Sequence, residues 1–173
     1  MAQMGRGERT SLAYVRNLTP EELQKKWPKL RPGNHAVKSH ATRRYNCVAF
    51  GSKDERHWWE SGIYGGGIFW PAGIPDTLDG WVEIFSRGGY EITTSRNVEA
   101  GFEKIAIYVS PHDGRPEHLA ICDGLSWKSK LGRYQDIEHA TLDLLEGQQE
   151  CEYGTVGKIL RRSIKTGRQG RKS

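Results

Sequence analysis

Cys47 and His118 are the two side chains whose types and surroundings point most clearly to chemistry. Asn46 is a helix-capping residue type, so Cys47 is expected at the first position of a short helix, where unpaired backbone N–H groups favour the thiolate. His118 begins an apolar run that is typical of a strand. A cysteine and a histidine within hydrogen-bonding distance form a minimal activated nucleophile. The pair predicts acyl transfer, with His118 accepting the thiol proton and N–H groups of the helix start stabilising the oxyanion.

Each of these residues also has an interpretation without chemistry. A lone cysteine followed by the apolar run 48–50 is typical of a small buried hydrophobic residue, and a histidine at a strand edge is often a surface or satisfied group. Cysteines and histidines could instead bind a metal ion. However, Cys47, Cys122 and Cys151 show no Cys-x-x-Cys spacing, and no His-Glu-x-x-His motif occurs. We therefore expect no metal and no other cofactor.

The helices that would position this pair are indicated by their cap residues. Thr19, Pro20 and Glu22 form a capping box that predicts a helix to about Lys26. A second helix is predicted after Thr77 or Asp79, which are both suitable caps, and it ends at the glycine pair 88–89. A late helix is predicted from Asp136 to Gly147, with Ile137, Ala140, Thr141, Leu144 and Leu145 on one face.

Between the second and the late helix the hydrophobic pattern changes to that of strands. Strands are predicted there at 90–93, 104–109, 118–122 and 125–131, with Asp123-Gly124 as a hairpin turn, and a last strand at 154–160 follows the late helix. The order of elements predicts an α+β fold, in which N-terminal helices and the Cys47 helix pack on an antiparallel sheet of about four or five strands. The stretch 31–44 is expected to be irregular.

This order and two short motifs resemble papain-like cysteine hydrolases of the NlpC type, a circularly permuted branch in which the cysteine helix precedes the sheet. The motifs are Tyr45-Asn46-Cys47 and His118-Leu119-Ala120-Ile121. The resemblance implies a papain-like fold and a hydrolase or transferase of the thiol protease kind, acting on a peptide or on another amide- or acyl-containing substrate. It also implies an orienting residue on the strand after the histidine. Ser129 is the candidate there, Ser126 lies nearer the turn, and His139 on the predicted late helix is the rival.

A closer similarity is to an uncharacterised bacterial family of unknown function. The shared elements are Tyr-Asn-Cys, Trp-Trp, Gly-Phe-Glu-Lys-Ile-Ala-Ile-Tyr, and Trp-Lys-Ser-Lys-Leu-Gly followed by Asp-Ile-Glu-His. They span Tyr45 to His139, which is more than half of the chain. The family carries no established activity that the similarity would transfer to this chain.

Residues beside the pair are the candidates for binding a substrate. Aromatic side chains near Cys47 are expected to line a groove, although core packing would explain them equally. Lys130 is a candidate for holding an anionic group, the alternative being a solvated lysine at a strand end. The predicted substrate-binding residues are Tyr45, Asn46, Trp58, Trp59, Trp70 and Lys130, with Phe69 beside them.

Charge is divided unevenly along the 173 residues. The net charge of +5 combines +7 in residues 1–44, −9 in residues 45–152 and +7 in residues 153–173. We therefore expect a basic N-terminal extension with one short helix (1–44), a papain-like catalytic domain (45–162) and a basic disordered tail (163–173). The acidic centre argues against a dedicated nucleic-acid-binding protein despite a pI of about 9.2.

Composition narrows the remaining possibilities. The mean hydropathy is −0.71, no stretch reaches the ~20 apolar residues of a membrane span, and three cysteines do not make a disulfide framework. We expect a cytoplasmic protein that does not bind membranes. The alternative to the enzyme is a non-enzymatic binding module with a papain-like fold. Such a module would contact an acidic protein or a nucleic acid through its aromatic cluster and its basic ends.

Overall fold

The computed structural model describes residues 15–63 and 65–165, which form three α-helices, one 3₁₀ helix and nine strands. The helices are α1 (Pro20–Lys26), α2 (Cys47–Gly51) and α3 (Leu78–Arg87), and the 3₁₀ helix covers Leu142–Leu145. The strands are β1 (His35–Val37), β2 (Trp58–Trp59), β3 (Ile68–Phe69), β4 (Glu91–Thr93), β5 (Phe102–Val109), β6 (Pro116–Cys122), β7 (Trp127–Lys130), β8 (Asp136–His139) and β9 (Thr155–Ser163).

A seven-stranded sheet forms the centre of the molecule. Its strand order is β1-β8-β7-β6-β5-β9-β4, and every neighbouring pair is antiparallel. β2 and β3 form a separate two-stranded parallel sheet. The predicted α+β class and antiparallel sheet are confirmed, whereas the predicted number of four or five strands is wrong.

Each face of the seven-stranded sheet carries its own apolar core, because side chains alternate between the faces of a strand. On one face, Leu119 and neighbouring strand residues pack against α2 and α3, which contribute Val48 and Phe85. On the opposite face, Ala120 and Trp127 belong to a core that also includes residues of α1 and of the 3₁₀ helix. The sheet is therefore covered by helices on both sides, and neighbouring residues of β6 belong to different cores.

The caps predicted from the sequence form as expected. Thr19 and Glu22 make the reciprocal hydrogen bonds of a capping box at α1. The Asn46 side chain accepts a hydrogen bond from the Ala49 amide at the start of α2, and Thr77 caps α3 in the same way. These local signals were sufficient because a cap depends on residues within one helical turn.

The predicted late helix from Asp136 to Gly147 is wrong. Residues 136–139 form β8, which pairs with β7 on one side and with β1 on the other. Only Leu142–Leu145 is helical, as a single 3₁₀ turn. Pairing with a strand on each side gives hydrogen-bond partners to the backbone N–H and C=O groups on both edges of this segment. Tertiary contacts therefore override a helical spacing of apolar residues. β1 lies in the stretch that the sequence predicts to be irregular.

The described part of the predicted N-terminal extension contributes to the core of the fold. Leu23, Trp27 and Leu30 are each no more than 3% exposed and pack in the same core as the strands. The predicted tail lies mostly outside the described residues, as do residues 1–14. In the described ranges, no helix is both long enough and apolar enough to span a membrane.

Candidate active site

Cys47 occupies the first position of α2, as the sequence predicts. Its side chain is 8% exposed and belongs to the core between α2, α3 and the sheet. Burial raises the pKa of the thiol to about 11, although the backbone N–H groups of Leu119 and Val48 and the ammonium group of Lys130 act in the opposite direction. The expected lowering of this pKa is wrong, because the loss of hydration outweighs the N–H groups at the start of a five-residue helix.

His118 lies on β6 with its imidazole in the core opposite to α2. The side chain is 1% exposed, and the ring centroids of Tyr108 and Tyr153 are 5.4 and 3.9 Å from that of the imidazole. Burial, with a smaller contribution from His139, lowers the pKa of His118 well below its ordinary value. The imidazole is therefore neutral at pH 7.

A chain of hydrogen bonds runs from His118 across two further strands. Nε2 of His118 lies 3.0 Å from Oγ of Ser129 on β7. The same oxygen lies 2.9 Å from Nε2 of His139 on β8, and Nδ1 of His139 lies 2.9 Å from the carbonyl oxygen of Thr141. We refer to His118, Ser129, His139 and the Thr141 carbonyl as the histidine relay. His139, Ser129 and His118 are each no more than 1% exposed.

The direction of these hydrogen bonds fixes the tautomer of both histidines. A carbonyl oxygen only accepts, so Nδ1 of His139 must carry a proton. Burial lowers the pKa of His139 to about 4, so this ring is neutral at pH 7 and its Nε2 is an acceptor. Ser129 must then donate its single O–H to His139, and its oxygen accepts from Nε2–H of His118. The remaining nitrogen of His118, Nδ1, therefore carries a lone pair.

Nδ1 of His118 makes no hydrogen bond within the described part of the chain. The imidazole thus keeps one basic nitrogen with a lone pair, while its other ring nitrogen is held in place by Ser129. Ser129 and His139, which the sequence presents as rivals for one orienting position, are consecutive members of the same relay. The predicted helical position of His139 is wrong, since the residue lies at the end of β8.

No hydrogen bond joins Cys47 to His118 among the described residues. The two residues are nevertheless connected through their neighbours. The backbone N–H of Leu119, which follows His118, lies near enough to the Cys47 thiol to act against the rise of its pKa. Tyr153 stacks on the imidazole of His118, and a charge on Cys47 contributes, after burial, to the raised pKa of that tyrosine. The catalytic pairing of Cys47 with His118 stays a prediction.

Lys130 is buried close to Cys47 rather than solvated at a strand end. Its Nζ is 3.1 Å from the carbonyl oxygen of Thr42 and 2.7 Å from that of Gly132, and it also donates to the carbonyl of Tyr134. These acceptors occupy the three N–H donors of the ammonium group. Burial lowers the pKa of Lys130 to about 8. The hydrogen bonds show that Lys130 holds backbone segments together, which leaves no donor for the predicted anionic group.

Tyr45 and Asp136 complete the polar environment around Lys130. The Tyr45 ring lies 5.3 Å from the Lys130 ammonium, and its hydroxyl donates to Oδ2 of Asp136 over 3.0 Å. Oδ1 of Asp136 is buried and has no hydrogen-bond partner among the described residues. Tyr45, predicted as a substrate-binding residue, is thus 7% exposed and packed inside the fold.

Asn46 connects α2 to the small β2–β3 sheet. In addition to capping α2, its side chain donates to the carbonyl of Trp59 over 2.7 Å. Trp59 and Trp70 pack against the core that contains Cys47, whereas Phe69 is 42% exposed. The half-buried Trp58 donates to Glu60. Core packing therefore accounts for Trp59 and Trp70, and the aromatic residues cover the side of the core that holds the thiol.

Tyr153 is the neighbour of His118 that the sequence did not indicate. It lies 35 positions beyond His118, in a turn segment with no motif of its own, so only the folded structure brings it to the imidazole. Within the described ranges, no group of three or more histidine, cysteine, aspartate and glutamate side chains is arranged to hold a metal ion.

The sequence of the chain matches one known protein family. The model of a family described as "Domain of unknown function (DUF7689)" matches residues 36–161. The chain belongs to this family. The DUF7689 match covers Cys47, the whole histidine relay and Tyr153. No curated protein and no solved structure matches the chain. The predicted membership of an uncharacterised family is thereby confirmed, whereas the resemblance to NlpC-type hydrolases stays a prediction.

Proposed function

We propose that this DUF7689 chain is a cysteine-dependent hydrolase or acyl transferase with a papain-like arrangement of its site. Cys47 is the nucleophile and His118 is the general base. The observation that supports this most strongly is the tautomer of His118, whose Nε2–H is held by Ser129 while Nδ1 keeps a free lone pair. A histidine in this state has a lone pair at Nδ1 that can accept a proton. Because α2 and the imidazole lie on opposite faces of the sheet, catalysis by this pair requires the Cys47 side chain to approach Nδ1 when substrate binds.

The protonation states favour a neutral resting pair over a preformed ion pair. Burial raises the pKa of Cys47 and lowers that of His118, so both groups are uncharged at pH 7. The thiol proton then moves to Nδ1 of His118 as the sulfur–carbon bond to the substrate carbonyl forms. The imidazolium is stabilised through Nε2–H by Ser129, whose own proton remains directed at His139.

The later steps return both residues to their resting state. The tetrahedral intermediate collapses when the carbon–leaving-group bond breaks and the leaving group takes the proton from Nδ1 of His118. Water or an amine then attacks the thioester at Cys47 and gives its proton to Nδ1, and the sulfur regains that proton as the acyl group leaves. Peptides and other amide- or acyl-containing compounds are the substrate class that this chemistry serves.

Acylation by an activated ester tests this function without knowledge of the natural substrate. We expect p-nitrophenyl acetate to release a burst of about one equivalent of p-nitrophenolate from the folded chain as Cys47 becomes acylated. His118→Gln should slow the burst about 10²–10⁴-fold, which is the usual contribution of a general base. Cys47→Ser should remove the thioester that mass spectrometry detects on this residue.

Cys151→Ser is the matched control, because Cys151 is a half-buried thiol outside the proposed site. This variant should keep the wild-type burst. A burst that survives Cys47→Ser, or that proceeds at the wild-type rate in His118→Gln, would rule out the proposed pair.

A second candidate function is the binding module, which the burial of Cys47 favours. A thiol that is 8% exposed with a raised pKa also fits a core residue of a domain that binds a protein or a nucleic acid. This candidate predicts that the wild-type chain gives no burst. The acylation experiment therefore separates the two functions.

A further inference from the structure

Tyr153 makes the closest ring contact that His118 has in the described part of the chain. The two ring centroids are 3.9 Å apart and the ring planes differ by 10°, which is face-to-face stacking. Tyr108 lies edge-on to Tyr153 at 6.2 Å, and Trp27 is tilted against it at 5.8 Å. The tyrosine ring is thus packed between two other aromatic rings and the imidazole.

The backbone on both sides of Tyr153 is held in place. Its N–H donates to the carbonyl of Leu145 over 3.1 Å, and Gly147 and Gly154 exchange two hydrogen bonds of 2.9 Å. Gly154 has a φ of +70°, and a Cβ atom there would lie 2.0 Å from the carbonyl oxygen of Val109. Only glycine permits this approach of the turn to the end of β5, so the position of the Tyr153 ring follows from the fold.

We propose that Tyr153 is a positioning residue of the site, whose ring fixes the plane of the His118 imidazole and stabilises the imidazolium that forms during acyl transfer. This inference rests on the proposed function. The hydrogen bond to Ser129 fixes one atom of the imidazole, Nε2, but leaves rotation about that atom open. Stacking over the ring face removes this freedom and so fixes the direction of Nδ1.

The charge on the imidazolium gives the stacking a second effect. His118 is buried, and the facing His139 also disfavours a positive charge on it. The other ring-contact and hydrogen-bond partners of the imidazole among the described residues are Tyr108 and Ser129, which are neutral at pH 7. The electron-rich face of Tyr153 is thus the group best placed to attract a cation there. The Tyr153 hydroxyl makes no hydrogen bond to a described residue, so the ring can be tested separately from the hydroxyl.

The test compares the rate of the p-nitrophenyl acetate burst in three variants. Tyr153→Phe keeps the ring and should stay within about 3-fold of the wild-type rate. Tyr153→Met keeps much of the volume without an aromatic face, and should slow the burst on the order of 10-fold. In the pH–rate profile of Tyr153→Met, the acid limb, at which His118 becomes protonated, should also move to lower pH. Pentafluorophenylalanine at position 153 keeps the shape of the ring but reverses the charge of its face, and should be slower than Tyr153→Phe.

If Tyr153→Met does not fold, the pentafluorophenylalanine variant still tests the role of the aromatic face. A wild-type rate and an unshifted acid limb in Tyr153→Met or in the fluorinated variant would overturn the role of the ring. A burst rate that falls as much in Tyr153→Phe as in Tyr153→Met would also overturn it, because the effect would then belong to the hydroxyl. If the wild-type burst itself does not depend on Cys47 and His118, the proposed function fails and this inference fails with it. A wild-type burst that depends on both residues but is unchanged by the variants overturns the inference alone.

Discussion

At Cys47, burial and the start of a helix have opposite effects on the same thiol. The backbone N–H groups of Leu119 and Val48 favour the thiolate, but removal of the sulfur from water disfavours it more and raises the pKa to about 11. A helix start is thus insufficient evidence for an activated cysteine. The degree of burial decides the sign of the shift, and burial depends on residues distant in sequence.

Alkylation rates should show this raised pKa directly. With a pKa of about 11, on the order of one Cys47 thiol in a thousand is ionised at pH 8. We expect iodoacetamide to label Cys47 in the folded chain more slowly than the half-buried Cys151, as followed by peptide mass spectrometry. In urea the two cysteines should react at similar rates. Faster labelling of Cys47 in the folded chain would contradict a neutral, buried thiol.

At the scale of elements, the histidine relay depends on the register of three strands. Ser129 on β7 lies opposite Ala120 on β6 and opposite Ile137 on β8. His118 precedes Ala120 by two residues and His139 follows Ile137 by two, so both histidines reach Ser129 along a diagonal on the same face. A shift of one residue in either pairing would turn a histidine to the opposite face and break the relay.

The sequence could predict the caps and several strands of this site, but not the relay. Asn46 and Thr19 act within one turn of their own helix, and the β-rich runs near His118 are recognisable by composition. β8 carries a short apolar pattern that fits a helix equally well. Only its pairing with β1 and β7 decides the outcome, and this pairing places His139 beside Ser129. Tyr153 reaches His118 through the turn at Gly154, which no local signal reveals.

Two glycines allow a test of how the Tyr153 turn is fixed. Gly154 and Gly101 both have positive φ angles, of +70° and +83°, but only at Gly154 would a Cβ atom meet backbone. Gly101→Ala should cost about 1–2 kcal/mol of unfolding free energy, the cost of a left-handed conformation. Gly154→Ala should cost clearly more, because it must also displace the carbonyl of Val109. Urea unfolding measures both values, and equal losses would show that the close approach to β5 is not required.

For the whole molecule, the buried neutral histidines make stability depend on pH. The pKa of His139 is about 4 in the folded chain against an ordinary value of 6.5, so the unfolded chain binds its proton more readily. The stabilisation is fully present above pH 6.5 and is lost as the pH falls towards 4. His118 acts in the same direction, because its pKa is also lowered by burial.

A variant of His139 should reduce this dependence. Between pH 7 and pH 5, His139 alone should account for about 2 kcal/mol of the loss in unfolding free energy. His139→Asn removes the titrating group, so the loss over this range should be smaller by about that amount in urea unfolding. His40→Asn, at an exposed histidine, should leave the dependence unchanged. An identical pH dependence in His139→Asn and in the wild-type chain would contradict a buried, neutral His139.

The pH dependence of the acylation burst is the most direct test of a neutral Cys47–His118 pair. Because His118 has a lowered pKa and Cys47 a raised one, the reactive neutral pair dominates across the range between them. We predict a burst rate that stays constant from pH 8 down to pH 6 and falls only at lower pH, where His118 becomes protonated. A rate that rises tenfold per pH unit through this range would instead mean that a free thiolate reacts without a base, and would contradict the proposed role of His118.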